Sequence, residues 1–208
     1  VEKYLMANNV HYTVNLDLDN GQIALLEKTM NAVKTEEGEM KWLSWAAEDL
    51  PIYPVSYNED DWYNWGCENM GAKWCHIEEY ADDYISGYSA WSPPIPLVEN
   101  LVQYIYDQVG GDISAKLTYE DEFRNFIGYT LYYVENGEVV VDDDYIDGED
   151  LTHLVEEAFE LEVGNENFDW WEVYPVKKGN YAGEEWEPQQ YADEIVYQYF
   201  DDGRLNLL

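Results

Sequence analysis

Three histidines, two cysteines and an unusual supply of carboxylates are the groups in this 208-residue chain that suit catalysis or metal binding. His11 falls on the outward side of an alternating stretch, and His153 lies beside a helical stripe. Neither sits in a motif with a nucleophile, and no Gly-x-Ser-x-Gly elbow or phosphate loop occurs. Cys67, Cys75 and His76 would need a distant fourth ligand to hold zinc, and their spacing matches no standard zinc motif. Buried free thiols are the simpler reading. Asp142, Asp143, Asp144, Asp147 and Glu149 form a dense carboxylate run. The calcium-loop order, with its turn glycine and a Glu at position twelve, is missing from it. With 45 Asp and Glu in the chain, any one pair placed for acid–base hydrolysis would be coincidental. The residues therefore point to a non-catalytic protein with no cofactor and no metal, and the charge becomes the feature to explain.

Against those 45 acids stand 10 Lys and Arg, for a formal net charge of −35. Direct binding to a phosphate backbone needs clustered Lys and Arg, so nucleic acid is excluded as a direct partner. An anionic membrane surface is excluded for the same reason. The basic residues are also unevenly spread. Between Arg124 and Lys177 there is none, against fifteen acids; between Lys73 and Lys116 there is none, against seven. Hydrophobic residues at 46% and aromatics at 16% supply a packed core, and disordered chains lack such aromatics. No apolar run is long enough to cross a bilayer and no signal-peptide pattern opens the chain. Val1 to Leu5 reads as a processing remnant with Met6 as the natural start. Two cysteines suggest no disulfide framework, and the expected setting is a reducing cytoplasm.

The elements follow from periodicity. Val10, Tyr12, Val14, Leu16 and Leu18 alternate with polar residues and predict a half-buried strand. Asp19-Asn20-Gly21 caps a helix striped by Ile23, Leu26, Met30 and Val33 and ending near Thr35-Glu36-Glu37-Gly38. Trp42 and Trp45 flank a helical turn, and Tyr57 to Met70 reads as an insertion loop. Strands are expected over 72–80 and 84–91. Ser92-Pro93-Pro94 then starts a helix, with Ser92 as cap, that carries Leu97, Val98, Leu101, Val102, Ile105 and Val109 to Gly110-Gly111. Ile113, Ala115, Leu117 and Tyr119 alternate as a further strand. Asn136-Gly137 joins two more as a tight hairpin. Leu151, Leu154, Val155, Ala158 and Phe159 mark a third helix, and Ala192, Ile195, Val196, Tyr199 and Phe200 a fourth. The expected class is α+β: a ferredoxin-like β-α-β-β-α-β core with an added β-hairpin and C-terminal helices. Residues 1–145 form the core with its hairpin, and 146–208 an acidic helical region packed on it.

Residues 62–137 carry a resemblance. Asn64-Trp65-Gly66, Ala72-Lys73-Trp74 and Ala90-Trp91-Ser92-Pro93-Pro94, followed by Gly128-Tyr129 to Gly137, resemble in order and spacing the YubB-type ferredoxin-like family of phage and plasmid proteins. This chain departs from that pattern by inserting Cys67 to Gly71 and by continuing through 138–208. The resemblance implies a ferredoxin-like fold and a mobile-element origin, and no catalytic residue. Trp65, Trp74 and Trp91 are expected to pack the sheet, as large aromatics usually do.

Two readings of the acidity remain. One is a solubilising or salt-adapted surface. The other is mimicry of DNA, because 35 net charges equal the formal charge of roughly 17 base pairs at two phosphates per pair. On the second reading the chain inhibits a host protein of defence or restriction that acts on nucleic acid, and its partner is a basic nucleic-acid-binding protein. The contact surface is expected on the acid-rich span from Asp142 to Glu172, with Asp142, Asp143, Asp144, Glu156, Glu157 and Glu160 as its carboxylates. Glu156, Glu157 and Glu160 are expected on the water face of their helix. The alternative is a structural or assembly protein of a virion or conjugation apparatus, with an aromatic interface.

Overall fold

Val10, Tyr12, Val14 and Leu16 are buried in the computed structural model, and the polar residues between them are not. That alternation makes the strand β1 (Asn9–Asp17). The structure describes residues 8–33, 45, 50–160 and 169–202. The expected helix end at Thr35 to Gly38, the turn at Trp42 and the stretch Val1 to Met6 lie outside the described residues.

After β1 come α1 (Asn20–Ala32), a 3-10 turn (Glu59–Asp61), α2 (Trp62–Asn69), β2 (Cys75–Ala81) and β3 (Tyr84–Ala90). α3 (Ile95–Val109), β4 (Ser114–Asp121), β5 (Phe126–Glu135) and β6 (Glu138–Asp147) complete the first run. α4 (Gly148–Phe159), the two-residue strands β7 (Tyr174–Pro175) and β8 (Glu185–Trp186), and α5 (Pro188–Asp202) follow. The class is α+β. Six strands form one sheet in the order β2-β3-β1-β4-β5-β6, and β7 pairs with β8. The sheet order thus differs from that of a four-stranded core. β1 pairs antiparallel with both β3 and β4, and β2 with β3. The links from β4 to β5 and from β5 to β6 are too short for a parallel crossover. Asn136 at φ 55° and Gly137 at φ 91° make the β5–β6 turn, as that dipeptide predicts. Among the described residues no helix is long and apolar enough to cross a membrane.

The chain divides into two compact units, Val1–Phe123 with Tyr129–Asp144, and Arg124–Gly128 with Tyr145–Leu208. In the first, Leu26 and Met30 of α1 and Leu97, Val98, Leu101, Val102 and Ile105 of α3 are buried, as are alternate residues of β1 and β4. Asp19 and Gln22 close a capping box at the start of α1: Asp19 Oδ1 accepts from Gln22 N (3.0 Å), and Gln22 Oε1 accepts from Asp19 N (2.8 Å). The fully buried Gln22 amide also donates to the carbonyls of Gly110 (2.8 Å) and Asp112 (3.2 Å), tying that helix start to the α3–β4 turn.

In the second unit α4 and α5 bury Leu151, Val155, Ala158 and Phe159 with Tyr191, Ala192, Ile195 and Tyr199. Phe159 meets Tyr191 edge-on at 5.4 Å. Arg124 binds Asp193 of α5, and Gly148 N donates to Asn125 O at 2.8 Å.

Three expectations are corrected. Residues 57–70 are not a loop: they hold the 3-10 turn and α2, whose buried side is only Trp65, Gly66 and Asn69. Ser92 is not the cap of α3. Two prolines delay the helix to Ile95, Pro94 takes the cap position without a side-chain bond, and Ser92 Oγ donates to Gly71 O (2.6 Å). Trp91 does not pack the sheet; it is 48% exposed and its backbone is left-handed at φ 69°.

Candidate functional site

The six expected carboxylates fall in two places. Asp142, Asp143 and Asp144 lie on β6, the last strand of the sheet order, in the first unit, and all three are exposed. Successive strand residues point to opposite faces, so Asp142 and Asp144 share one side and Asp143 takes the other. Glu156, Glu157 and Glu160 belong to α4 and its C-terminal cap in the second unit. The residues of 161–168 in the expected acid-rich span lie outside the described ones.

On α4 the expectation holds for two of three. Glu157 and Glu160 are exposed. Glu156 is not on the water face: its side chain is 17% exposed and pairs with His153 Nδ1 at 3.1 Å, while His153 Nε2 lies 3.8 Å from Glu149. One turn of helix separates these groups, which is the spacing that lets side chains meet. Glu157 faces Lys178 at 3.7 Å, with both about half exposed, a contact of small energetic weight. Asp147 caps α4 by accepting from Asp150 N (2.9 Å), and Glu149 and Asp150 sit in the first turn, where the helix dipole favours negative charge. Glu156 and Glu157 sit in the last turn, which holds no basic residue and where the dipole opposes negative charge. The His153 and Lys178 contacts offset that unfavourable placement in part. Glu160 ends the helix in a left-handed conformation at φ 52°, and the N–H groups of Lys177 and Lys178 reach the Ala158 carbonyl at 2.7 and 3.1 Å.

The thiols behave differently from one another. Cys67 is exposed on α2, whereas Cys75 is buried in β2 and burial pushes its thiol well up. His76, the next residue, turns to the other face and stacks on Tyr88 at 4.9 Å. Among the described residues no three His, Cys, Asp or Glu side chains gather as metal ligands. Asp147, considered for calcium, is the helix cap instead.

A second cluster was not visible as a site in the sequence. Lys73 Nζ lies over two indoles, 5.5 Å from the Trp62 ring centre and 5.1 Å from that of Trp91. The backbone forces this meeting. A side chain at Gly66 would strike the Lys73 carbonyl at 2.7 Å, so its absence lets α2 close onto the strand entry, with Trp62 one turn earlier. Trp91 N donates to Asn8 O (2.9 Å), Ala90 N to Trp74 O (3.0 Å) and Ser89 Oγ to Ser92 O (2.7 Å). Only the recurrence of Trp, Gly and Lys over residues 62–94 signals the cluster beforehand. Trp65, by contrast, is buried, edge-on to Tyr53 (4.7 Å) and Tyr57 (5.1 Å), which precede α2 and belong to no strand.

No protein-family model, curated protein or solved structure matches this chain.

Proposed function

We propose that this protein is a non-catalytic, acidic inhibitor of phage or plasmid type, and that it binds a basic host protein acting on nucleic acid by offering carboxylates in place of phosphates. The observation that carries the reading is the net charge of −35, from 45 Asp and Glu against 10 Lys and Arg. Exposed Asp142, Asp143 and Asp144 crowd one strand, and Glu157 and Glu160 crowd a helix end where the dipole opposes them. Such repulsion costs stability and is retained where the field itself is useful. The partner is then a basic, nucleic-acid-binding protein of a defence or restriction system. The motifs of residues 62–137 support the mobile-element origin. We read β1-α1-β2-β3-α3-β4, with inner order β2-β3-β1-β4, as a ferredoxin-like core extended by β5 and β6.

Retention of proteins from a bacterial lysate on the immobilised chain tests this. The expected outcome is one basic nuclease, restriction or nucleoid protein, released by salt and lost when Asp142, Asp143, Asp144, Glu156, Glu157 and Glu160 are changed to Lys. Retention unaffected by that charge reversal ends the mimicry reading. The exposed rings of Trp62, Tyr63 and Trp91 favour a second reading, a virion or conjugation subunit with an aromatic interface. Such an assembly survives ~1 M salt, where the Debye length is about 3 Å, and the mimic's complex does not.

A further inference from the structure

We propose that Trp62 and Trp91 form a clamp for a basic side chain of the partner, and that Lys73 is its resident placeholder. The inference rests on the reading of the partner as basic and adds to it a contact that is not made by carboxylates.

The chain's own ammonium group shows what the clamp accepts. Lys73 has 45 Asp and Glu in the chain to pair with, yet among the described residues it makes no ion pair and lies within 5.5 Å of two indole faces. Indole is the best aromatic acceptor of a cation, through the negative face of its ring. Both residues keep free surface beyond what Lys73 covers, Trp62 at 37% and Trp91 at 48% exposed, and Tyr63 next to Trp62 is 45% exposed. Trp62 and Tyr63 also touch edge-on at 6.0 Å.

Two further observations favour an external cation. Trp91 holds a left-handed backbone at φ 69°, a conformation that disfavours side chains with a Cβ and persists where the surroundings impose it. Here it presents the ring outward instead of into the core. Glu59, Asp60 and Asp61, all exposed, immediately precede Trp62 and give the clamp an acidic rim. An arginine suits the position better than lysine, because its planar guanidinium stacks on indole and is more weakly hydrated. Arginine from a phosphate-binding cleft would meet carboxylates at the rim and indole at the centre, displacing Lys73 into solvent.

Fluorescence anisotropy of a labelled, end-capped hexa-arginine peptide tests the clamp on the full chain. Trp62→Ala and Trp91→Ala leave the net charge unchanged, so nonspecific attraction is the same in each. Loss of one cation–ring contact is expected to weaken peptide binding about threefold to fivefold in each variant. Lys73→Met keeps both rings, frees the clamp and is expected to tighten binding roughly threefold at ~1 M salt, where the lost charge matters little. Equal affinity for wild type, both Trp variants and Lys73→Met overturns the clamp, whatever the lysate experiment gives. Self-association abolished by the Trp variants, with peptide binding unchanged, overturns it in favour of a second copy. Binding that falls on charge reversal of the six carboxylates but not on ring removal overturns the clamp and leaves the mimicry reading in place.

Discussion

Tyr12 sits directly opposite Gly87 across β1 and β3, and the missing side chain of one is the space used by the other. A Cβ on Gly87 would lie 2.7 Å from the Tyr12 hydroxyl and 1.9 Å from the His76 carbonyl. Through that space the Tyr12 hydroxyl donates to His76 O (2.9 Å) on β2, the strand beyond β3, and accepts from Trp45 Nε1 (2.9 Å). The register of β2 against β3 shifts between Ile77 and Glu79, just beyond this crossing.

Gly87→Ala is therefore expected to destabilise the fold by about 1–3 kcal/mol or more through overpacking against main chain, which cannot step aside as a side chain does. Tyr12→Phe leaves the buried Trp45 N–H without its acceptor, at about 1–3 kcal/mol. Urea unfolding of both variants measures this, and wild-type stability for Gly87→Ala would show that the strands are spaced differently.

Gln22 serves α1 and the α3–β4 turn at once. Gln22→Leu removes the donor to the Gly110 and Asp112 carbonyls as well as half of the capping box. A loss of about 1–3 kcal/mol is expected. Asp19→Ala, which removes only the cap, should cost about 1 kcal/mol. Equal losses for the two would mean that the amide bonds to the turn contribute nothing.

Alkaline pH should unfold the chain early. Burial, first among the causes, raises the Cys75 thiol and the Tyr12, Tyr53 and Tyr132 phenols, so each binds its proton more tightly folded than unfolded. The resulting stability is complete below the ordinary thiol value of 9.0 and is lost as pH climbs past it and past the phenol value of 10.0. Each such group adds a slope of up to about 1.4 kcal/mol per pH unit in that window. Urea midpoints between pH 7 and 11 check the trend, and Cys75→Ala should delay its onset. At neutral pH iodoacetamide should label Cys67 alone, and rapid labelling of Cys75 would contradict its burial.

Salt should stabilise this protein. With 45 Asp and Glu against 10 Lys and Arg, most carboxylates cannot be paired with a base, and salt screens the repulsion among them. If screening recovers ~1 kcal/mol, Tm rises by about 2–4 °C for a chain of this size. A melting temperature that stays level or falls between low salt and 1 M NaCl would show that the repulsion is already balanced.

Where pattern and packing agree, the elements are legible in the sequence. Alternation over Val10 to Leu16 marks β1, Asn136-Gly137 marks the hairpin, and the stripe from Leu97 to Ile105 marks α3. α2 was missed because a single buried turn, Trp65, Gly66 and Asn69, gives no repeating stripe, and its other residues are polar or exposed aromatics. β7 and β8 are two residues each, too short to alternate. Among the candidate carboxylates, position on an outgoing strand requires at least one of Asp142, Asp143 and Asp144 to face outward, and all three are exposed. Position along the chain did not anticipate Glu156, which is only 17% exposed and pairs with His153 one turn earlier. The meeting of Trp62, Lys73 and Trp91 depends on the close approach at Gly66, a tertiary relationship that spacing alone does not carry.

β6 is the last strand of the sheet order, and it carries three carboxylates in succession. An open strand edge is a template on which another chain can pair, and charge along it is a common defence. Two copies meeting at β6 would bring Asp142, Asp143 and Asp144 against their own counterparts, so fibre growth by strand addition is discouraged there. A blocker that works one-to-one must accumulate to at least the level of its target. On the proposed reading, the acid that recognises the partner also lets the cell hold that many copies without the sheets zipping together.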